Sequence, residues 1–383
     1  MNPYAIHAGN FVLADRLAEG GYLIIEDGRF GAWSPEAPAS IEVLELGDAW
    51  VAPGLVDTHI HGSLGHDVMD CDAEGVREVS RELACHGTTS WLPTTLTASF
   101  EETGRACASV AEAARNQEGA RIQGIFLEGP FFTEKHKGAQ NPKYLCDPSL
   151  DWLDAWQEQA EGLIRKSALA PERAGVSEYC AGCKDRGVTV ALGHSAATFD
   201  EAAAGVAAGG SVFVHTFNGM PEFTHREPGV VGAAMTCEET YCEAICDGMH
   251  VHPRAIDALV RARGWQHVAL ITDCLSCGGL PDGEYMLGEL PIVLGGGLAR
   301  LRDAGNIAGS TLTMLKAVQN VVSWGVASPE HALRMASEVP ARSCGIDGEC
   351  GSIAAGRLAD FVVLSPELEL IQTYLAGQPV CKE

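Results

Sequence analysis

From Pro53 onward the sequence alternates between short apolar runs and amphipathic segments of helical length, such as 73–86 and 200–208. This alternation limits the possible folds more than any other feature, because strand–helix repeats favour a parallel sheet covered by helices. Eight such units predict an α/β protein with a (β/α)8 TIM-like barrel. The predicted strands are Leu55–His59, Thr89–Leu92, Ile122–Glu128, Ile164–Ala170, Val188–Gly193, Val212–His215, Glu243–Asp247 and Val268–Thr272.

The two ends of the chain have β character instead. Short apolar runs such as Tyr22–Glu26 are separated by turn residues near the N-terminus, and similar runs return at 360–364 and 370–375. We expect the ends to pair into one small discontinuous β-sandwich domain. The predicted limits are residues 1–52 and 345–383 for this domain and residues 53–344 for the barrel, with closing helices at Ser310–Trp324 and Pro329–Met335.

The charge balance excludes several classes of partner. The 383 residues include 26 Lys and Arg against 51 Asp and Glu, which gives a formal net charge of −25. So negative a chain is not expected to bind nucleic acid or an anionic membrane, and an anionic substrate would need a local cationic pocket. The sequence has no 18-residue apolar run and no signal-peptide pattern, so we predict a cytoplasmic protein.

Fourteen cysteines are spread along the chain without a tight framework. Free thiols in a reducing compartment fit this spacing best. Two CxxC pairs occur, Cys180 with Cys183 and Cys274 with Cys277. The first pair falls in a predicted helix, where residues three apart share a face. A four-cysteine zinc site is the alternative, although the flanking residues lack the turn signals of a zinc knuckle.

Several predicted strands end in residues that bind metals or transfer protons. The first strand leads to His59 and His61, and side chains two residues apart in an extended chain share a side. The C-terminal ends of barrel strands meet at one face, where active sites of this fold lie. Four imidazoles and two carboxylates there predict a hydrolase site with one or two divalent metals. The remaining four residues are Glu128, His194, His215 and Asp273.

Nine short motifs carry a family resemblance across nearly the whole chain. They are PGLVDTHIHG at 53–62, LEGP at 127–130, KGAQNP at 137–142, GHS at 193–195, HTFNG at 215–219, HREPGV at 225–230, DGMH at 247–250, ITD at 271–273 and AGST at 308–311. With these motifs the chain resembles the N-acetylglucosamine-6-phosphate deacetylases of the metal-dependent amidohydrolase superfamily. The HxH pair and the late Asp are shared widely in the superfamily, whereas LEGP with KGAQNP, HREPG and AGST are more specific.

The resemblance implies a ligand set for the metal. Glu128, His194 and His215 resemble the ligands of a metal that the family retains. His59 and His61 resemble the ligands of a second metal, which Glu128 would bridge. Zinc is the first expectation, with iron, manganese or cobalt as alternatives. Many other amidohydrolases bridge their metals with a lysine of strand four, but Lys166 is near the start of that strand and thus at the wrong face.

Asp273 is the predicted general acid and base. Amide hydrolysis needs a base to take a proton from water and an acid to protonate the departing amine. A carboxylate held at a strand end suits both steps.

The resemblance also implies the substrate-binding residues and a homodimer. Arg226 is the candidate for the phosphate, because a guanidinium makes bidentate contacts to phosphate. In this family the loop with that arginine often reaches the site of a neighbouring subunit; a surface salt bridge with Glu222 or Glu227 is the structural alternative. At Gln140 some relatives have His, and Gln donates a hydrogen bond without carrying charge. The implied sugar-phosphate site comprises Ala139, Gln140, Asn218, Gly219, Arg226, His250, Ile307, Ala308 and Gly309.

The predicted activity is therefore release of acetate from N-acetylglucosamine 6-phosphate. Three alternatives stay open at this point: an N-acetylgalactosamine-6-phosphate deacetylase, an N-acyl-D-amino-acid deacylase, and an amidohydrolase-like scaffold without catalysis. The scaffold is disfavoured because all the expected ligands are present.

Overall fold

A computed structural model describes residues 2–380, and its N-terminal part consists of short strands. The run Tyr22–Glu26 is a strand as predicted, and its buried and half-buried residues alternate as expected for one covered face. The strands are β1 (Tyr4–His7), β2 (Asn10–Val12), β3 (Leu17–Glu19), β4 (Tyr22–Glu26), β5 (Arg29–Ser34), β6 (Glu42–Glu45) and β7 (Trp50–Pro53).

The central part of the chain contains the eight parallel strands of the barrel together with three short accessory strands. The elements are β8 (Leu55–Ile60), β9 (Gly62–Ser63), β10 (His66–Asp67), β11 (Thr88–Thr95), β12 (Arg121–Ile122), β13 (Ile125–Phe131), β14 (Ile164–Leu169), β15 (Thr189–Leu192), β16 (Gly210–Phe213), β17 (Tyr241–Ile245) and β18 (Val268–Ile271). The barrel strands follow one another in the order β8, β11, β13, β14, β15, β16, β17 and β18. The predicted (β/α)8 barrel is confirmed.

Two details of the barrel differ from the prediction. The third predicted strand is interrupted at Gln123 and Gly124, where the backbone passes so close to Arg165 that a Cβ on Gly124 would lie 2.2 Å from its Cγ. The first and eighth strands meet only at their C-terminal ends. There the N–H of Asp273 donates to the carbonyl of His59 at 2.8 Å, and the N–H of His61 donates to the carbonyl of Cys274 at 2.9 Å.

Helices cover the outside of the barrel. They are α1 (Ala73–Cys85), α2 (Phe100–Arg115), α3 (Leu150–Gln159), α4 (Val176–Asp185), α5 (Phe199–Ala208), α6 (Gly229–Thr236) and α7 (Pro253–Arg263), with shorter 3-10 turns at Val68–Asp70, Glu134–His136, Pro142–Tyr144 and Trp265–His267. The interior of the barrel is filled by apolar residues such as Val56, Phe126 and Val212. None of the helices within residues 2–380 combines the length and apolar character needed to cross a bilayer.

After the barrel comes a small sheet that the sequence analysis did not predict. The antiparallel strands β19 (Gly283–Leu287), β20 (Leu290–Gly295) and β21 (Leu298–Leu301) share an apolar cluster with Leu96 and Leu275. The chain continues through α8 (Met314–Ser323), α9 (Pro329–Met335) and α10 (Glu338–Ser343) to β22 (Phe361–Leu364), β23 (Leu370–Leu375) and β24 (Gln378–Pro379).

The two ends of the chain pair with each other. Strand β22 runs antiparallel to β7, with Val363 opposite Val51, so one six-stranded sheet combines strands from the N-terminal and C-terminal parts of the chain. This sheet and the four-stranded sheet β5-β4-β1-β6 share a core that includes Ile6, Phe11 and Phe361. The arrangement fits a small β domain beside the barrel. Residues 1 and 381–383, which the predicted limits include, lie outside the described residues.

The cysteines agree with the sequence analysis except at Cys85. Twelve cysteines are free, but Cys85 is disulfide-bonded, so the expectation of free thiols is wrong there. A disulfide requires Cα atoms within about 7 Å of each other, which spacing along a sequence does not reveal. Within residues 2–380, neither CxxC pair belongs to a group of side chains that could hold a metal. Cys381 lies outside the described residues.

The start of α2 provides a test of how the barrel helices are held. The Ser99 hydroxyl accepts from the N–H of Glu102, and the Glu102 carboxylate accepts from the N–H of Ser99. We expect Ser99→Ala to lower the free energy of unfolding by about 1 kcal/mol, because the N–H of Glu102 at the helix end loses its acceptor. Chemical denaturation measures the change. Ser177→Ala, at an exposed position in α4, is the matched control, and an equal loss in both variants would contradict the capping argument.

Candidate active site

Six polar side chains meet at the C-terminal face of the barrel. His59 is on β8 and Glu128 on β13, while His61 follows β8 by one residue. His194, His215 and Asp273 each lie two residues beyond the end of their strand. All six are buried; the most exposed, Asp273, retains 8% of its accessible surface.

Three of these residues share an unusual backbone conformation. His194, His215 and Asp273 have φ angles of 46°, 27° and 52°. Non-glycine residues seldom adopt this left-handed region, and strain of this kind is concentrated at functional sites. The same arrangement occurs three times: a strand, one linking residue, and then a residue in the left-handed region whose side chain joins the site.

Glu128 is at the centre of the six side chains. Its Oε1 lies 3.2 Å from Nε2 of His194, 3.2 Å from Nε2 of His215 and 3.3 Å from Nε2 of His59. Its Oε2 lies 3.3 Å from Nε2 of His61. One carboxylate therefore belongs to two groups that could hold a metal, one with His59 and His61 and the other with His194 and His215. The Asp273 carboxylate faces the first group, with Oδ1 3.5 Å from His59 Nε2 and 3.3 Å from His61 Nε2.

The other ring nitrogen of each histidine has its own partner. Nδ1 of His61 lies 3.2 Å from the carbonyl of Thr94, and Nδ1 of His59 lies 3.1 Å from the carboxylate of Glu243. The Nδ1 atoms of the other two imidazoles lie against main-chain carbonyls as well, at 3.0 and 3.1 Å. With a metal bound, each Nδ1 would carry the proton, because these partners are acceptors, and each Nε2 would present its lone pair to the centre.

The inward-facing nitrogens need a cation. Nε2 of His194 and Nε2 of His215 are 3.1 Å apart, and Nε2 of His59 is buried without a hydrogen-bond partner among the described residues. Lone pairs at these distances from one another and from a carboxylate are best satisfied by a bound positive ion. Imidazole nitrogen and carboxylate oxygen are ligands that divalent metals such as zinc prefer. The residues present therefore fit a divalent metal.

The charges of the site agree with this interpretation. Burial alone would raise the pKa of Glu128, but the surrounding imidazoles, led by His59, hold it well below its ordinary range. Burial would also raise the pKa of Asp273, but His59 and His61 lower it below its ordinary value. Burial would lower the pKa of His59, yet the carboxylates of Asp273 and Glu128 raise it to about 9. Both acids are ionised at neutral pH, and protons compete with a metal for the imidazoles.

A cavity of about 320 Å³ opens onto these groups. Seven of the nine predicted substrate-binding residues line it: Ala139, Gln140, Asn218, Gly219, His250, Ile307 and Gly309. Ala308 does not; it is 1% exposed and packs with the apolar cluster under the small antiparallel sheet.

Gln140 and His250 are held in defined orientations in the cavity wall. The Gln140 amide nitrogen donates to Glu128 Oε2 at 2.7 Å, and its carbonyl oxygen accepts from the N–H of Thr97 at 2.9 Å. Nδ1 of His250 lies 2.6 Å from the Asp247 carboxylate, which leaves Nε2 buried and without a partner among residues 2–380.

Arg226 is outside the cavity, on an exposed loop between β16 and α6. Within the described residues it forms no ion pair, so the expected alternative of a salt bridge with Glu222 or Glu227 is not observed. The Glu227 carboxylate instead accepts from the backbone N–H groups of Phe199 and Gly229. The guanidinium is thus free to bind an anion, but not in this cavity as the single chain forms it.

Five lining residues were not predicted from the sequence. Gly138 lies within the KGAQNP motif and Asn306 lies two residues before the AGST motif, so taking the first motif as a whole and extending the second would have included them. Leu96, Leu275 and Leu287 gave no such signal, because an apolar residue in a cavity wall cannot be distinguished by sequence from one in the core.

The amidohydrolase family matches residues 50–380 of the chain. This chain belongs to the amidohydrolase family. Among curated relatives of this amidohydrolase, the N-acetylglucosamine-6-phosphate deacetylase of Vibrio furnissii is 39% identical, covering 88% of this chain and 85% of the relative. The N-acetylgalactosamine-6-phosphate deacetylase of Escherichia coli O157:H7 is 38% identical, covering 89% of this chain and 90% of the relative.

A solved structure agrees with these comparisons. A mutant N-acetyl-D-glucosamine-6-phosphate deacetylase from Mycobacterium smegmatis, in complex with N-acetyl-D-glucosamine-6-phosphate, matches the amidohydrolase with a TM-score of 0.94. The two chains are 32% identical, and each is covered completely. The resemblance inferred from the motifs is therefore confirmed.

The shared carboxylate makes a direct test of metal binding possible. We expect Glu128→Gln to lose most of the metal bound by the wild type, because Glu128 is the one side chain common to both groups of ligands and an amide carries no charge. Elemental analysis of the purified protein measures the loss.

Glu172→Gln is the matched control for this change. The Glu172 carboxylate lies near the site, where it accepts from Ser195 and the N–H of Ala196, but it belongs to neither group of ligands. Metal content should stay normal in the control. Normal metal content in Glu128→Gln would show that the ligands have been wrongly assigned.

Proposed function

We propose that this amidohydrolase removes the acetyl group from N-acetylglucosamine 6-phosphate, giving glucosamine 6-phosphate and acetate in amino-sugar catabolism. The observation that carries the proposal is the position of Glu128 between two pairs of imidazoles, with the Asp273 carboxylate facing the same centre. The relatives whose names state this activity cover most of the chain.

The metal site is proposed to hold two divalent ions, with zinc as the first candidate and iron, manganese or cobalt as alternatives. His194, His215 and Glu128 would hold one ion, and His59, His61 and Glu128 the other. A divalent ion held there would lower the pKa of water and polarise an amide carbonyl. The cavity beside the ligands is large enough for a sugar ring, and Gln140 would orient both Glu128 and the acetyl group through its amide.

Asp273 is proposed to move the proton. As a carboxylate at neutral pH it can accept a proton from the attacking water and then return it to the amine nitrogen as the amide C–N bond breaks. Its backbone is hydrogen-bonded on both sides, to the carbonyl of His59 and to the N–H of Ser310. These contacts hold the carboxylate at one distance from the reacting carbonyl, as proton transfer requires.

The phosphate group of the substrate needs positive charge in a protein with a net charge of −25. We propose that Arg226 supplies it, in a homodimer where the loop completes the site of the neighbouring subunit. The exposure of Arg226 and its lack of an ion pair in the described part of the chain support this assignment. Asn218, Gly219, His250 and the segment 307–309 are proposed to contact the rest of the sugar phosphate. A cytoplasmic location stays a prediction.

A second candidate is the same reaction on N-acetylgalactosamine 6-phosphate, which the 38% identity to a deacetylase of that name favours. The test of both is acetate release from a panel of N-acetylated sugars with and without the 6-phosphate. Preference for the gluco phosphosugar supports the first proposal, and preference for the galacto epimer supports the second. Activity on N-acyl-D-amino acids alone, or no activity in a metal-loaded protein, would refute both.

The role of Asp273 can be separated from metal binding. Asp273→Asn keeps the shape of the side chain but cannot carry a proton, so kcat should fall by roughly two orders of magnitude or more. Metal content, measured on the same preparation, should stay near that of the wild type. Parallel loss of metal and activity would instead identify Asp273 chiefly as a ligand.

The role of Arg226 can be tested by comparing two substrates. We expect Arg226→Ala to lower kcat/KM for the phosphosugar by the equivalent of about 2–4 kcal/mol, because a bidentate charged contact is lost. Most of the change should be a rise in KM. The unphosphorylated sugar never uses this contact and should be little affected. The measurement is kcat/KM for both sugars, with the exposed Arg254→Ala as control. An equal loss for both sugars would assign the phosphate to other groups.

A further inference from the structure

A buried ion pair inside the barrel has no part in the proposed reaction. Lys166 on β14 and Glu243 on β17 are both completely buried, and Nζ of Lys166 contacts Oε1 of Glu243. The ammonium also lies 3.4 Å from the carbonyl of Thr58 and 3.8 Å from the centre of the Phe126 ring. Neither charged residue lines the cavity. Buried ion pairs often contribute little net stability, because desolvation offsets their attraction, so a different role for this pair is worth testing.

The second oxygen of Glu243 joins the pair to the proposed metal ligands. Glu243 Oε2 lies 3.1 Å from Nδ1 of His59 and 3.4 Å from the backbone N–H of His215. His59 belongs to one group of ligands and His215 to the other. A single carboxylate on β17 therefore contacts both groups from the side opposite the cavity.

His59 differs from the other three imidazoles in this respect. The Nδ1 atoms of His61, His194 and His215 lie against main-chain carbonyls. The fold itself holds those carbonyls in place. A side-chain carboxylate can rotate, so it needs an anchor of its own, and Lys166, which reaches across the barrel interior from β14, provides one.

The ring of His59 is also restricted by packing. Phe126 lies edge-on to it, with ring centres 4.9 Å apart and an angle of 89° between the planes. Phe126 contacts Lys166 as well. The side chains of Lys166, Phe126, Glu243 and His59 thus form one buried group. The Nε2 atom of His59 points away from this group toward Glu128.

We propose that Lys166 and Glu243 are positioning residues that keep the proton of His59 on Nδ1 and direct its Nε2 lone pair at the ion shared with Glu128. Lys166 fixes the orientation of the carboxylate, and the carboxylate fixes the tautomer and the ring. The inference rests on the proposed function, because it takes His59 as a ligand of the second metal.

Two double variants separate the hydrogen-bond role from the ion pair. Lys166→Met/Glu243→Gln removes both charges but keeps an oxygen that can accept from His59 Nδ1. Lys166→Met/Glu243→Leu removes both charges and the acceptor with a side chain of similar size. Apo protein is titrated with Zn²⁺ against a chromophoric chelator, and thermal unfolding of each apo variant shows whether it is folded.

We expect the leucine variant to bind one of its two ions roughly 10- to 100-fold more weakly than the glutamine variant, which is the usual effect of losing a partner behind a metal ligand. The ion held by His194 and His215 should change much less. Nitrogen-15 NMR of the apo proteins, recorded at a pH high enough for the His59 ring to be neutral, should show its proton on Nδ1 in the wild type and the glutamine variant, and a mixture of tautomers in the leucine variant.

Equal Zn²⁺ affinities together with the same His59 tautomer in both double variants would overturn the inference. If the leucine variant does not fold, Lys166→Met/Glu243→Met takes its place, since methionine also lacks a strong acceptor and adapts to irregular space. A wild type that binds a single ion would refute the proposed two-metal site. The tautomer measurement then decides the inference alone: a mixture in the leucine variant supports it, and an unchanged tautomer overturns it.

Discussion

The hydrogen bond from the N–H of Asp273 to the carbonyl of His59 connects the last strand of the barrel to the first. Elsewhere in the barrel, each strand pairs directly with the next, but β18 and β8 are joined only at their C-terminal ends. The contact that closes the barrel therefore also assembles the site. The carboxylate proposed to move the proton and the first histidine of the HxH pair are brought together by the same backbone contact.

Barrel closure places the strand ends, but the conformation after each strand decides which side chains reach the centre. His194, His215 and Asp273 take up left-handed backbone conformations, which cost free energy for residues other than glycine. Packing and hydrogen bonds around these residues must offset that cost. The N–H of Ser310 bonded to the carbonyl of Asp273, and the Asn218 carbonyl facing His215 Nδ1, are two such contacts.

Much of the architecture could be predicted from the sequence because periodicity reports local structure directly. The eight apolar runs gave the barrel, and the strand-end rule of that fold gathered His59, Glu128 and Asp273 from distant parts of the chain. Contacts that depend on orientation could not be read in this way. The pairing of Lys166 with Glu243, the exposed position of Arg226 and the bonded state of Cys85 all depend on which residues the fold brings face to face.

The antiparallel sheet β19–β21 was missed for a related reason, since its short strands pair mainly with one another and lie outside the strand–helix alternation that indicated the barrel. Leu287 at the end of β19 nevertheless lines the catalytic cavity, whereas no residue of the sheet belongs to the groups that could hold a metal. The proposed metal ligands and this part of the cavity wall thus belong to separate segments of the chain. Substitutions in this insertion can reshape the space around a substrate without displacing a strand end, which gives evolution a way to alter the accepted sugar while the chemistry is preserved.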